Sequence, residues 1–171
     1  MGAVMTPAGL PDRIGDDIAA AGVSGLWVTP DEIGAMADFA GAYVLVLRLE
    51  EPIRIEFPRV ASDRLMPGWY AYVGSARGSG GLRARIRRHF RSDKTAHWHI
   101  DRLTVQAVEL AALAVADGDE CDLADKLLES LRFEVAAAGF GSTDCRRCKS
   151  HLLAMLEPRR PDKAPEQIPL R

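Results

Sequence analysis

The segment Tyr43-Val44-Leu45-Val46-Leu47 has no polar face at all. A run of this length, bounded by Gly41 and Arg48, fits a strand covered on both sides at the centre of a sheet. It is far too short to cross a membrane, and no apolar run approaches the roughly 20 residues that a spanning helix needs.

The neighbouring residues supply partners for that strand. Ile53, Ile55 and Phe57 alternate with Arg54 and Glu56, the pattern of a half-exposed strand. Pro67-Gly68 turns the chain into a third strand, Trp69 to Val73, and a glycine-rich loop runs from Gly74 through Gly81. Leu82, Ile86 and Phe90 then form one stripe of a helix whose other faces carry Arg83, Arg85, Arg87, Arg88 and Arg91. Trp98 to Leu103 reads as a short helix and Val105 to Val115 as a strand. Asp117-Gly118-Asp119 caps a helix expected to reach about Ala137, and His151 to Leu156 closes the domain. The order β-β-β-α-α-β-α predicts an α+β fold, a small, mostly antiparallel sheet flanked by helices.

A chain of 171 residues suits one such domain, placed at 39–156. With 47% hydrophobic and 27% charged residues it is globular, which excludes wholesale disorder, collagen-like repeats and a coiled coil. Prolines and glycines interrupt residues 1–38, read as a weakly structured extension packed on the domain or partly mobile. The Pro-rich tail, 157–171, is expected to be disordered. No basic, apolar leader opens the chain, and a myristoylation-like Met1-Gly2 start lacks any second anchor, so a cytoplasmic location without membrane contact is expected. Three cysteines, Cys121, Cys145 and Cys148, do not make a disulfide scaffold.

The formal net charge of −2 conceals segregation. Residues 1–40 hold six acids and one base (−5), 74–102 eight bases and two acids (+6), and 103–144 nine acids and two bases (−7). One basic stripe on an acidic chain suits contact with a polyanion, although a solvated helix face has the same pattern.

Some residues break local rules. Leu123, Ala124, Leu127 and Leu131 stand 3, 4, 7 and 11 positions after Glu120, so its carboxylate shares their apolar stripe, where a charge must be paired, neutralised or bound to metal. The alternative is an exposed acid favoured by the helix dipole. Arg85 offers a fork for phosphate, and His89, one turn on, either touches phosphate, carries a proton or sits on the surface. Arg83, Arg87, Arg88 and Arg91 are candidate backbone-phosphate contacts. The loop at Gly74 and Ser75 could cradle phosphate, but it lacks the Gly-Lys-Ser/Thr ending of a nucleotide-binding loop, which excludes an ATP or GTP cofactor. Cys145, Cys148 and His151 have zinc-like spacing without a second regular ligand pair; ordinary loop cysteines are the alternative.

Together these segments resemble the GIY-YIG nuclease superfamily. Gly41-Ala42-Tyr43 stands where the first triplet belongs and Tyr72-Val73-Gly74 where the second does, followed by Ser75-Ala76. Gly81 to Phe90 looks like the family's first helix. A closer likeness is to an uncharacterised branch sometimes fused to endonuclease III, through His97-Trp98-His99-Ile100-Asp101, Glu120-Cys121-Asp122-Leu123-Ala124 and Gly139-Phe140-Gly141-Ser142 through Ser150-His151-Leu152. The resemblance implies a metal-dependent endonuclease acting on DNA, with Arg85 and Glu120 catalytic and one Mg²⁺ or Mn²⁺ held by Glu120. Tyr72 would be the general base and Tyr43 its orienting partner, with His89, His97 or His99 positioning water. Two departures stand out. The triplet tyrosines lie 29 residues apart, and the chain has no asparagine, so Ser142, Asp144, Ser150 or His151 would replace the family's late asparagine. The rival readings are a non-catalytic nucleic-acid-binding module and a zinc-stabilised interaction domain.

Overall fold

The structure, a computed structural model, describes residues 6–7, 9–60 and 64–157. The apolar run lies inside strand β2, Gly41–Leu49, and its alternate residues supply two separate cores. Tyr43, Leu45, Leu47 and Leu49 face one; Ala42, Val44 and Val46 face the other. Burial on both sides explains why this stretch has no polar period.

β2 pairs antiparallel with β5, Gly68–Ala76, on one side and with β6, Glu109–Ala116, on the other. Five short strands accompany them: β1 (Leu26–Val28), β7 (Phe133–Val135), β8 (Leu152–Met155) and a separate ribbon of β3 (Ile53–Arg54) with β4 (Arg64–Leu65). The main sheet runs β1-β6-β2-β5-β8-β7 with every pairing antiparallel. Helices α2 (Gly81–Phe90) and α3 (Asp101–Thr104) pack on one face. α1 (Asp12–Ala20) and α4 (Glu120–Glu129) pack on the other. The fold is α+β, a six-stranded antiparallel sheet flanked by helices. Among the described residues no helix is long and apolar enough to cross a membrane.

Several expectations are corrected. Residues 1–38 are not weakly structured where described: Ile14 and Ile18 of α1 are buried, and β1 extends the sheet beside β6. A strand is not required to run from Ile53 to Phe57; only Ile53–Arg54 pairs, although Ile53 and Ile55 are buried as the alternation predicts. The loop expected from Gly74 begins later, since Gly74, Ser75 and Ala76 remain in β5 opposite Tyr43, Ala42 and Gly41. The strand expected from Val105 starts at Glu109. α4 stops at Glu129 rather than near Ala137, because Leu131 turns the backbone left-handed (φ 59°) and Phe133 re-enters the sheet beside β8. Leu131 is consequently exposed instead of extending the apolar stripe. The proposed disordered tail lies, from residue 158 on, outside the described residues, as does the Met1–Met5 start.

Candidate active site

Tyr43 and Gly74 face each other across β2 and β5, and this pairing sets the floor of a cleft. A Cβ at Gly74 would run into the Tyr43 phenol, so glycine here makes room for a ring rather than cradling phosphate in a loop. The Tyr43 hydroxyl meets His89 Nε2 at 2.6 Å, deep inside the protein. His89 is 1% exposed, which removes the surface-histidine reading. Burial first, then Lys94, Arg85 and Arg88, push its pKa down to about 3 against the pull of Asp101. The imidazole is therefore neutral and does not act as a cationic phosphate contact. Burial, Tyr72 and Glu120 also hold the Tyr43 phenol well above its ordinary value.

Tyr72, Arg85 and Glu120 come from β5, α2 and α4, and all three line the same cleft of about 330 Å³. It opens at the end of the sheet where β2 begins and β5 and β6 finish. α4 starts there because Asp119 caps it, accepting from the Cys121 and Asp122 backbone N–H groups at 2.9 and 3.1 Å. That cap sets the helical phase: Leu123, Ala124 and Leu127 face the core and half-buried Glu120, on the same stripe but at the open end, faces the cleft. Burial and then the Glu120 charge raise the Tyr72 phenol to about 12, with Arg85 opposing. Tyr43 has His89 as its hydrogen-bond partner, which ties its hydroxyl to α2.

Ser75, His89, His97, His99, Asp144 and His151 also border the cleft. Of the four residues Ser142, Asp144, Ser150 and His151, Asp144 and His151 reach it. Ser150 is occupied by the Leu152 backbone, and Ser142 is buried. Trp98, 38% exposed, forms part of the rim, with the Arg85 and Arg88 guanidinium carbons 4.4 and 4.6 Å from its ring centroid.

The basic stripe divides on inspection. Arg83 and Arg87 are exposed, while Arg91 is engaged with Asp93 at 3.0 Å. Arg88, expected among the phosphate contacts, is tied internally: it donates to Asp101 Oδ2 at 2.8 Å and to the Thr95 carbonyl. Asp101 is completely buried and also accepts from the His97 and Trp98 backbone N–H groups. Burial would raise its pKa, but those bonds, Arg88 and Lys94 outweigh it and hold the carboxyl low. Lys94 closes the C-terminal end of α2 by donating to the Arg88 and His89 carbonyls. Asp101 thus braces the segment carrying His97 and Trp98 against α2. Its position as one of two acids in a basic stretch, and its place at the end of the His97–Asp101 segment, were the signals that could have singled it out.

Behind the Glu120 wall sits a second group. The sulfurs of Cys121, Cys145 and Cys148 and a ring nitrogen of His151 lie within 4.8 Å of one another, a Cys3His set that can hold a metal. The sequence indicated three of these ligands; Cys121, 24 residues from Cys145, carries no local spacing signal and is supplied by the fold. The Cys148 backbone N–H leads in holding the Cys145 thiol below its ordinary value, whereas burial raises Cys121 and Cys148.

Fold and cleft define an α+β domain with a polar site at the end of an antiparallel sheet, built from phenols, a guanidinium and a carboxylate. Residues 42–168 match the family model described as a domain of unknown function, DUF123, and the chain belongs to that family. No curated protein and no solved structure matches.

Proposed function

We propose that this protein is a metal-dependent endonuclease that hydrolyses DNA phosphodiester bonds, in keeping with its resemblance to GIY-YIG nucleases. One observation carries the reading: Tyr72, Arg85 and Glu120, from three separate elements, border a single phosphate-sized cleft.

In this reading Glu120 holds one Mg²⁺ or Mn²⁺, for which a single carboxylate plus substrate phosphate and waters is an adequate donor set. The cation supplies Lewis-acid stabilisation of the leaving oxygen. Arg85 clamps the phosphoryl oxygens as charge develops on them, a contribution of about 10²–10³ in rate for a comparable donor. Its contact with Trp98 fixes the guanidinium in advance. Tyr72 would take the proton from the attacking water as a phenolate, having first released its own proton to solvent. A phenol near 12 is a poor base by itself, but the Glu120 charge is among the causes of that rise and is neutralised when the carboxylate ligates a cation. His89 holds the Tyr43 hydroxyl. Arg83 and Arg87 hold the flanking backbone. The Cys3His group, rich in thiolate donors, suits zinc rather than magnesium. Thiols of this kind stay reduced in the cytoplasm, the compartment this reading assigns.

The test is incubation of the protein with single-stranded, nicked and branched DNA in Mn²⁺, against an EDTA control. Cleavage should appear only with metal and vanish in Glu120→Ala while DNA binding persists. Wild-type rates in that variant would refute the role given to Glu120. A non-catalytic nucleic-acid-binding module is the second reading, favoured by the raised phenols. It predicts salt-sensitive binding without cleavage in any metal.

A further inference from the structure

The hydrolytic reading gives the Cys3His group no step, yet the group joins two stretches of chain that form one wall of the cleft. Cys121 belongs to the first turn of α4, directly after Glu120. Cys145, Cys148 and His151 belong to the connection between β7 and β8, which also lends Gly141, Thr143 and Asp144 to the cleft.

We propose that Cys121, Cys145, Cys148 and His151 bind one structural zinc ion that fastens the first turn of α4 to the 141–151 connection and so builds the wall carrying Glu120. The geometry is near what zinc requires. Zinc–sulfur bonds of about 2.3 Å in a tetrahedron separate the sulfurs by about 3.8 Å, and Cys121 and Cys145 already stand 3.5 Å apart. The Cys148 backbone N–H points at Cys145 Sγ at 3.3 Å, an arrangement that stabilises a thiolate. His151 is 5% exposed, and its Nε2 is buried without a hydrogen-bond partner. A ligand bond satisfies that atom. The imidazole also bonds the Gly141 backbone, the kind of contact that orients a ligating histidine.

The rest of the connection shows why such a clamp matters. It has no helix or strand between Val135 and Leu152, and the ion pairs that tie it to α4 among the described residues, Arg147 with Asp122 and Asp125, are exposed, so solvent and salt weaken them. At its far end His151 is fixed to the sheet, its carbonyl accepting from the Val73 N–H at 2.9 Å. A zinc ion would therefore link the neighbour of Tyr72 on β5 to the neighbour of Glu120 on α4. Binding converts the three thiols to thiolates and releases their protons to solvent.

The experiment uses the full chain under reducing conditions, analysed for zinc as purified and after dialysis against added zinc, and with cobalt(II) substituted. One zinc per chain and the thiolate charge-transfer bands of tetrahedral cobalt are expected. Cys148→Ser should lower zinc affinity at least tenfold, and Cys148→His, which restores a ligand, should recover most of it. Removing zinc from the wild-type protein with a chelator should speed amide exchange at least tenfold in 119–125 and 141–151 while β2 and β5 stay protected. The proposal is overturned by zinc-free protein that cannot be loaded, by unchanged affinity in Cys148→Ser, or by exchange in those segments that ignores the chelator. Deprotection of the whole sheet overturns the local clamp in favour of zinc as a general folding requirement. None of these readouts involves DNA, so failure of the hydrolytic reading and failure of the zinc proposal are told apart.

Discussion

His89 makes this fold sensitive to acid in a way that can be isolated with one substitution. Its folded pKa of about 3 lies below the unfolded value of 6.5, so the unfolded chain takes up a proton that the native state refuses. For a group depressed in this way, the stabilisation is present above the unfolded pKa and lost as pH falls toward the folded one. Between pH 6.5 and 3 the loss runs at about 1.4 kcal/mol per unit, reaching about 5 kcal/mol by pH 3. Integrated from pH 7 to pH 5, the His89 contribution is about 2 kcal/mol. His151 and His99, also depressed by burial, add to the slope of the wild-type protein, and Asp101 adds at lower pH. Replacing His89 with Gln keeps polar atoms near the Tyr43 hydroxyl and removes the titration. Urea unfolding of both proteins at pH 7 and pH 5 gives the comparison. The wild-type stability should drop by about 2 kcal/mol more than that of His89→Gln over this interval. Equal drops would mean that His89 protonates in place at an ordinary pH, and that the cleft floor is wetter than its 1% exposure implies.

Tyr43→Phe strands His89 Nε2 in the interior and should cost about 1–3 kcal/mol in urea unfolding, an unchanged midpoint counting against the buried hydrogen bond. Asp101→Ala leaves Arg88 and Lys94 without their buried partner and should cost about 3–5 kcal/mol, read in the same assay. Arg83→Ala combined with Arg87→Ala should reduce the slope of log affinity against log salt by about 1.4–1.8 in DNA titrations, whereas Arg91→Ala, whose charge is engaged by Asp93, should change it less.

What could be read from sequence follows from how local each cause is. β2 is legible because burial on both faces leaves an unbroken apolar word, and α2 because its buried stripe alternates with arginines. Glu120 is legible because a cap and three apolar residues fix its phase within one helix. The end of α4 is not, since Leu131 adopts a left-handed backbone without the glycine that usually announces one. β1 is three residues long and owes its strand geometry to β6. Arg88 looked like its neighbours until Asp101, 13 residues on, claimed it. Cys121 joined Cys145 only through the tertiary approach of α4 to the last loop.

The family match begins at residue 42, but α1 and β1 lie before it. Ile14 and Ile18 help fill the interior on the α4 side, and β1 covers the outer border of β6. The stretch recognisable by kinship is therefore shorter than the stretch that folds. A fragment trimmed to the kinship boundary would present bare strand and greasy surface to its neighbours, the recipe for an insoluble product.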